Sequence, residues 1–440
     1  MRKYNLSEKV ILFSRILLNF IKFKRSPHNS ISEIEKEQFK KIKKILIYAY
    51  NNNQFYREKF DKFGVHPDKI NNLEDFRTKV PFTTKDEILA NYEKFIPYDL
   101  KYKKDKYLIG KSSGSSGEML TIYHRPIDTY NYILGRYRIF DMVTNYTPFT
   151  KVFYVYTSPF PASSVMGFYP SYFVETLNNI HDTKIKILNV NPDILNIYPS
   201  HLIELSKIFQ EEETKNLKLK AILVGSELST QKQRDELSKL FNCKVYDEYS
   251  SEELGWVAAQ CKYLNYHIFE DLNFIEIVNP DSGQLLENGK VGEIVGTNLC
   301  NYSMPFIRYK QGDLASINYK KCGCGFNFKV LNNLIGRKND SFVLNNKVFS
   351  SSFLLDLTYN LILKLNLDII DFCLIQTNKE NVIMQIKKGK SFTKSDQKKI
   401  INYLSSYFGN NINIEIEVVK ELYKTKKGKR NPIISLVEQK

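Results

Sequence analysis

A loop rich in hydroxyl groups and glycine is the first feature of the sequence that could do chemistry. Residues 110–118 read Gly-Lys-Ser-Ser-Gly-Ser-Ser-Gly-Glu and follow the apolar segment 107–109. Backbone N–H groups and hydroxyls in such a loop can surround the phosphates of a nucleotide. The ending of a Walker loop is absent, and serine- and glycine-rich segments also serve as linkers. On its own, the loop does not separate these two interpretations.

Carboxylates form the second group of candidates. Val-Gly-Ser-Glu at 224–227 and Tyr-Ser-Ser-Glu-Glu at 249–253 each lie at the end of a predicted strand, where open α/β sheets bind ligands. Glu252 or Glu253 could hold Mg²⁺ through oxygen. Segment 302–313 ends in Gly312-Asp313, and an aspartate at such a turn can accept both hydroxyls of a ribose. Taken singly, each could also be a solvated carboxylate or a turn-capping aspartate.

Two basic segments complete the pattern. Gly-Arg-Lys-Asn-Asp spans 336–340, and Lys-Thr-Lys-Lys-Gly-Lys-Arg spans 424–430. Read singly, both are typical of solvated polar segments.

Cysteine and histidine suggest a metal site. Cys261, His267, Cys322 and Cys324 offer three thiolates and one imidazole, which suits a closed, structural Zn²⁺ site. The alternative is that the cysteines are small buried apolar groups and the histidine a core residue. Six cysteines in 440 residues argue against a disulfide framework and for a reducing cytoplasm. We interpret the remaining three cysteines as small buried apolar residues; they are Cys243, Cys300 and Cys373.

The elements that must position these residues follow an α/β pattern. Predicted strands at 151–157, 184–190, 219–224 and 243–247 alternate with predicted helices at 129–142, 199–209 and 230–241, which favours parallel strands with helical crossovers. Close-set strands at 265–320 predict an antiparallel subdomain. We therefore predict an α/β fold with a large N-terminal domain (1–335), a hinge (336–341) and a small C-terminal α+β lid (342–440).

The charge balance bears on partners. Lys and Arg number 64 against 48 Asp and Glu, a formal charge of +16. The excess is spread along the chain without a zinc-finger or RNA-recognition pattern, so we predict no nucleic-acid partner. The apolar segment 10–21 contains Arg15 and is too short to span a membrane. With its basic flank it could form a helix on an anionic membrane surface or, more commonly, pack on the main domain.

In this order and at these distances, the five motifs resemble the adenylate-forming superfamily, which includes acyl-CoA synthetases, nonribosomal adenylation domains and luciferases. The closer resemblance is to the phenylacetate–CoA ligase branch and its relatives in capsular polysaccharide biosynthesis. It covers about 80–433, and segment 301–313 is its most specific part. The resemblance implies an ATP-dependent ligase that activates a carboxylic acid as acyl-AMP and transfers the acyl group to a nucleophile.

The resemblance also implies residue roles. Glu253 would hold Mg²⁺, Asp313 and Arg337 would bind the ribose, and Lys429 would bridge the carboxylate and ATP. Asp340 would be the point about which the lid turns. The remaining nucleotide-binding positions would be the phosphate loop (Ser112, Ser113, Gly114, Ser115, Ser116, Gly117), the residues beside the adenine (Gly225, Ser226, Glu227), and Tyr249, on the adenine or near the acyl group.

The sequence departs from the family pattern at several of these positions. Ser250 replaces a usual glycine, and Glu252 stands where a hydroxyl residue is usual, which makes Glu252 the alternative metal ligand. Lys427 is the alternative to Lys429. Members of the resembled branch carry a similar cysteine and histidine set, which adds support for zinc.

The sequence leaves the chemical class of the acyl acceptor open. Coenzyme A would make the chain an aryl- or acyl-CoA ligase of phenylacetate type. A sugar amine, amino acid or carrier thiol would make it a ligase of capsule or polysaccharide biosynthesis, which we prefer because no CoA-specific motif is evident. A non-catalytic nucleotide-binding protein is the alternative from another class, against which Glu253, Asp313 and Lys429 together argue. We expect a cytoplasmic location, with peripheral contact at the inner membrane face left open.

Overall fold

The computed structural model describes residues 6–96, 107–112, 120–157, 167–319, 321–337, 340–345, 347–422 and 431–437. Residue contacts divide the chain into two compact units, one formed by 1–146 with 248–333 and the other by 147–247 with 334–440. The predicted hinge at 336–341 concerns a movement between two states and stays a prediction.

The elements are numbered along the described chain. The helices are α1 (Leu6–Arg25), α2 (Ile31–Asn52), α3 (Gln54–Lys62), α4 (Leu73–Lys79), α5 (Lys85–Ala90), α6 (Tyr92–Phe95), α7 (Tyr130–Val143), α8 (Ile180–Val190), α9 (Pro199–Ser206), α10 (Glu211–Asn216), α11 (Gln231–Leu240), α12 (Ser351–Lys364) and α13 (Lys394–Phe408). The strands are β1 (Leu108–Lys111), β2 (Thr121–His124), β3 (Val152–Tyr156), β4 (Ser171–Glu175), β5 (Ile194–Ile197), β6 (Ala221–Gly225), β7 (Val245–Ser251), β8 (Gly255–Gln260), β9 (Tyr266–Ile268), β10 (Asn273–Val278), β11 (Gly292–Asn298), β12 (Tyr309–Asn318), β13 (Val330–Arg337), β14 (Phe342–Leu344), β15 (Lys347–Phe349), β16 (Ile369–Gln376), β17 (Asn381–Lys388), β18 (Asn413–Val418) and β19 (Ile433–Ser435).

The first unit combines the N-terminal helices with strands in the order β10-β11-β12-β13-β9-β8-β7, of which residues 334–337 of β13 and 245–247 of β7 fall in the second unit. The pairs β10/β11, β11/β12, β7/β8, β8/β9 and β9/β13 are antiparallel. The first two of these pairs lie within the predicted antiparallel segment 265–320. Local signals define the helix starts here. Thr84 and Glu87 form the predicted capping box at α5, where each side chain accepts a hydrogen bond from the other residue's backbone N–H.

The second unit contains the parallel strands β6-β5-β3-β4, with α8 between β4 and β5 and with α9 and α10 between β5 and β6. Its C-terminal part is a four-stranded sheet in the order β18-β17-β16-β19 with α12 and α13, in the predicted order of helix, strand, strand, helix and strand. The hairpin β14/β15 and the strand β19 were not predicted. The α/β fold class with a small C-terminal α+β part is confirmed.

One predicted strand is wrong. Residues 184–190, which alternate isoleucine with polar residues, lie in helix α8. The helix is favoured because the Asn179 side chain accepts a hydrogen bond from the His181 N–H at its start, and because Thr183 and Ile187, one turn apart, are both buried. The strand that follows is instead β5, whose four residues are all buried.

Among the described residues, no helix is both long and apolar enough to cross a bilayer. The apolar segment 10–21 lies within α1.

Candidate nucleotide and metal sites

The hairpin β1/β2 carries the predicted phosphate loop. Its last described pair is Lys111 with Thr121, and the Ser112 and Leu120 backbones then close the base of the loop. Ser112 Oγ also accepts a hydrogen bond from the Leu120 N–H at 2.9 Å. The other predicted loop residues lie outside the described part of the chain; they are Ser113, Gly114, Ser115, Ser116 and Gly117.

Glu252 lies against this hairpin. A β-carbon at Gly110 would stand 2.5 Å from Glu252 Oε2 and 3.5 Å from His124 Nε2, so the absence of a side chain at Gly110 lets the carboxylate approach. Burial lowers the pKa of His124 to about 4, which keeps the imidazole neutral near pH 7. The carboxylate of Glu252 is therefore placed at the base of the phosphate-loop hairpin.

Glu253 is buried beside strand β12. Its Oε1 accepts a hydrogen bond from the Tyr309 hydroxyl at 3.3 Å, and its backbone carbonyl accepts one from Asn298 Nδ2. Tyr309 belongs to the same strand as Asp313. The carboxylate of Glu253 is thus fixed to the strand that carries the predicted ribose ligand.

Tyr249 and Asp313 are brought together across 64 residues of sequence. The Tyr249 hydroxyl donates to Asp313 Oδ2 at 2.5 Å, and Asp313 is buried. Gly312, directly before Asp313, has φ of +79°, a conformation that glycine adopts without steric cost. Two residues that the resemblance assigns to one nucleotide are therefore in direct contact.

Arg308 has a role that the sequence reasoning missed. Its guanidinium is buried and donates to both carboxylate oxygens of Glu276 and to the Val80 carbonyl. Its backbone N–H donates to Thr297 Oγ1, and its φ is +45°. Arg308 thereby fixes the start of β12. The sequence does contain a signal for this role, which is the arginine inside the apolar run Pro-Phe-Ile-Arg-Tyr. An arginine that is buried in such a run needs a charged partner.

The second unit contains the residues predicted beside the adenine. Gly225 ends strand β6, and Ser226 follows with φ of +66°. Glu227 Oε2 accepts a hydrogen bond from the Ser200 N–H at 3.0 Å, in the first turn of α9, where a carboxylate complements the helix dipole. Glu227 thus has a structural partner in its own unit, and the predicted adenine contact of these residues stays a prediction.

The predicted hinge and lid residues also belong to the second unit. Arg337 ends β13, and its carbonyl accepts a hydrogen bond from Ser341 Oγ at 3.5 Å. Asp340 Oδ2 accepts one from Asn431 Nδ2 at 3.5 Å. Lys429 and its alternative Lys427 lie outside the described residues. The roles of all four stay predictions.

The four predicted zinc ligands form one cluster in the first unit. The ligand atoms of Cys261, His267, Cys322 and Cys324 all lie within 4.8 Å of one another. The sulfurs of Cys261 and Cys322 are 3.6 Å apart, and Cys324 Sγ is 3.1 Å from His267 Nε2. A tetrahedral Zn²⁺ with Zn–S bonds of ~2.3 Å separates two sulfurs by ~3.8 Å. The donor set and its spacing fit this ion.

Groups around the cluster orient it. His267 Nδ1 is 3.1 Å from the Phe328 carbonyl, which leaves Nε2 directed at the cysteines, as metal-binding histidines are usually held. Asn265 Nδ2 donates to Cys322 Sγ at 3.3 Å, an arrangement that favours a thiolate. The hydrogen bond with Cys324 holds the pKa of Cys261 far below its usual value, at about 3.

The loop of the cluster also contacts the end of helix α1. Asn327 N–H donates to the Pro27 carbonyl at 2.7 Å, and Asn327 Nδ2 donates to the carbonyls of His28 and Asn29. His28 Nδ1 is 3.0 Å from the Gly325 carbonyl. The cysteine loop therefore holds the turn in which α1 ends.

We expect the protein to purify with one equivalent of zinc per chain, and a strong chelator to lower its melting temperature by several degrees, because closed thiolate sites contribute directly to folding. Elemental analysis and thermal unfolding check this. Cys322→Ser should lose the metal, whereas Cys300→Ser, which replaces a cysteine outside the cluster, should keep it. Zinc-free protein from zinc-supplemented cells would contradict the assignment.

The fold has known relatives among acyl-CoA ligases. The crystal structure of 2-hydroxyisobutyryl-CoA ligase in the postadenylation state, in complex with 2-HIB-AMP, matches with a TM-score of 0.78 at 17% identity, covering 94% of this chain and 91% of that chain. ATP-bound MatB from Rhodopseudomonas palustris matches with a TM-score of 0.54 at 13% identity, covering 73% of this chain and 65% of that one. The fold is thus shared with 2-hydroxyisobutyryl-CoA ligase along almost the whole chain.

Sequence comparisons identify relatives by family and by protein. Residues 354–436 match the family model of the CapK C-terminal domain. Phenylacetate-coenzyme A ligase of Escherichia coli is 27% identical over 332 residues, covering 72% of this chain and 74% of that protein. Protein CapK of Staphylococcus aureus is 22% identical over 444 residues, covering 93% and 90%. The chain is thus a relative of the phenylacetate–CoA ligases and of CapK, as its motifs indicate.

Proposed function

We propose that this protein is an ATP-dependent ligase that converts a carboxylic acid into an acyl-adenylate and passes the acyl group to a nucleophile. The observation that carries the proposal is the contact between Tyr249 and Asp313, with Glu253 held by Tyr309 on the same strand as Asp313. An aromatic ring, a ribose-binding carboxylate and a metal-binding carboxylate are the groups that an ATP site needs.

Electrostatics determines what the site must supply. The substrate carboxylate and the α-phosphate of ATP are both anions, so positioning and positive charge must provide most of the rate. Mg²⁺ held by Glu253 would neutralise phosphate charge as it develops. The Asp313 carboxylate would orient the ribose, and the hydrogen bond from Tyr249 would hold that carboxylate in place. Lys429 would supply the positive charge between the carboxylate and the phosphate.

For the acyl acceptor, we propose an amine or carrier thiol of capsule or polysaccharide biosynthesis. The match of residues 354–436 to the CapK C-terminal domain and the coverage of CapK along almost the whole chain support this choice. Coenzyme A is the second candidate, because the phenylacetate-coenzyme A ligases are the other group of relatives. Zinc in the cysteine cluster would be structural, and the chain would act in the cytoplasm.

ATP–pyrophosphate exchange, screened over amino, aryl and fatty acids, tests the activation step. One class of acid should stimulate exchange well above the ATP-only rate. Acyl transfer to CoA, sugar amines and carrier proteins is then measured separately with the acid found. Binding of ATP without exchange for any acid would favour a non-catalytic nucleotide-binding protein.

Glu253 and Glu252 offer a matched pair for the metal. We expect Glu253→Gln to raise the Mg²⁺ concentration for half-maximal exchange at least roughly tenfold, because it removes a charged oxygen ligand. Glu252→Gln should have a much smaller effect on that concentration, since Glu252 stands where the resembled family usually has a hydroxyl residue. Magnesium titrations of exchange compare the two variants, and a larger shift in Glu252→Gln would reverse the assignment.

A further inference from the structure

Helix α1 exposes a wide apolar face. Three turns of the helix present large apolar side chains to solvent, and Leu18 is the most exposed at 80%. We call this set the outer face; its members are Val10, Ile11, Phe13, Leu17, Leu18 and Ile21. Single exposed apolar residues are ordinary on a protein surface, but a contiguous group on one side of one helix indicates a binding surface.

The opposite side of α1 is anchored. Leu12 and Phe23 are buried, and Phe20 contacts Tyr137 of α7 edge-on with ring centroids 5.0 Å apart. Arg138 donates to the Phe23 carbonyl at 2.7 Å and lies over the Phe23 ring. Because the inner side already packs on the unit, the helix presents its outer face as a fixed surface.

Basic side chains predominate around the outer face, and Glu8 is the one acidic residue of α1. Residues 9–25 contain five basic side chains and no Asp or Glu; the basic residues are Lys9, Arg15, Lys22, Lys24 and Arg25. Lys9 is exposed near the N-terminal end of the face, and Lys22, Lys24 and Arg25 are exposed at its C-terminal end. Pairs of Arg15 with Asp128, of Lys22 with Glu37 and of Lys24 with Asp141 partly balance this charge. Such pairs are weak and screened by salt.

We propose that the outer face of α1 binds the interface of a bilayer that contains anionic lipids. The helix lies parallel to the membrane, its apolar side chains enter the boundary between headgroups and acyl chains, and the basic residues contact anionic headgroups. A second copy of the chain fits less well, because pairing two outer faces would bring ten basic side chains of the two helices together. This inference is independent of the reaction proposed above.

Vesicle sedimentation tests the inference with the full chain. Vesicles of phosphatidylcholine with phosphatidylglycerol should bind the protein, and vesicles of phosphatidylcholine alone should bind it at least about tenfold more weakly. Binding should weaken as salt rises. The double variant Leu17→Asp/Leu18→Asp should reduce binding at least about tenfold, and Lys9→Glu/Arg25→Glu should reduce it on anionic vesicles only.

The matched control is Leu177→Asp, which places the same change at a leucine that is 75% exposed outside α1 and should leave vesicle binding unchanged. All variants should keep the wild-type melting temperature, because the replaced side chains are exposed. In Leu17→Trp, brominated lipids should quench the fluorescence of the new side chain, while the single native tryptophan, Trp256, is buried.

Either of two kinds of result would overturn the inference. One is equal vesicle binding by wild type and Leu17→Asp/Leu18→Asp, or no binding by either. The other is a dimer in analytical ultracentrifugation that this variant dissociates, without vesicle binding by wild type, which would assign the outer face to a second copy of the chain.

Discussion

Lys429→Ala should reduce the exchange of pyrophosphate into ATP by several orders of magnitude. The ammonium group would neutralise charge that develops between the substrate carboxylate and the α-phosphate, and removing one such preorganised group typically costs ~10²–10³-fold in rate. The loss should appear in turnover and not in the KM for ATP, because the contact is strongest in the transition state. Steady-state exchange kinetics with the best acid measure both parameters.

The second half-reaction distinguishes this role from a general defect. Lys429→Ala should transfer the acyl group from a chemically supplied acyl-adenylate to the acceptor at nearly the wild-type rate, since the lid is expected to have turned about Asp340 by then. Lys427→Ala, in the same basic segment, is the control. Equal losses in both half-reactions, or a larger adenylation defect in Lys427→Ala, would show that the assignment is wrong.

Asp313→Ala should weaken ATP binding by about a hundredfold or more. Two hydrogen bonds from ribose hydroxyls to a carboxylate contribute ~1.5–3 kcal/mol each, and ~2.8 kcal/mol corresponds to a hundredfold change in affinity. The melting temperature should stay close to that of the wild type, because the variant removes a hydrogen bond with the Tyr249 hydroxyl and no apolar core side chain. Isothermal titration with ATP and thermal unfolding test both statements on one preparation.

Tyr249→Phe is the matched variant for this pair. It keeps the aromatic ring and removes only the hydroxyl that donates to Asp313, so its affinity loss should be smaller than that of Asp313→Ala. The losses in the double variant should not add, because the two residues form one unit. An unchanged ATP affinity in Asp313→Ala would exclude the ribose role.

The fold was predictable wherever local signals and tertiary packing agree. The capping box at Thr84 and Glu87 specifies the start of α5 from neighbouring residues alone. In helix α8 the local signal and the packing disagree. The alternation of isoleucine with polar residues is typical of a strand, whereas the buried residues Thr183 and Ile187 lie one helical turn apart. The sequence does not reveal which side of such a segment will pack against a neighbour. The alternation therefore predicts a strand where the structure has a helix.

The candidate site was predictable as a set of residue types but not as a set of contacts. The resemblance assigns Tyr249 and Asp313 to one nucleotide. Only the folded sheet shows that the Tyr249 hydroxyl donates a hydrogen bond to the Asp313 carboxylate. The resemblance implies that Glu227 lies beside the adenine. It does not indicate the hydrogen bond that the Glu227 carboxylate accepts from the Ser200 N–H. Arg308 depends on Glu276, a partner on another strand that no local pattern identifies.

The contacts between the cysteine loop and the end of α1 have a consequence during synthesis of the chain. Asn327 and the carbonyl of His28 are 299 residues apart in sequence. At ~5–20 residues per second, the ribosome needs roughly 15–60 s to add the residues between them. Until then α1 lacks its contacts with the cysteine loop, although α7, on which its inner side packs, is synthesised much earlier. The turn that ends α1 therefore gains its hydrogen bonds with the cysteine loop only after 299 further residues have been added.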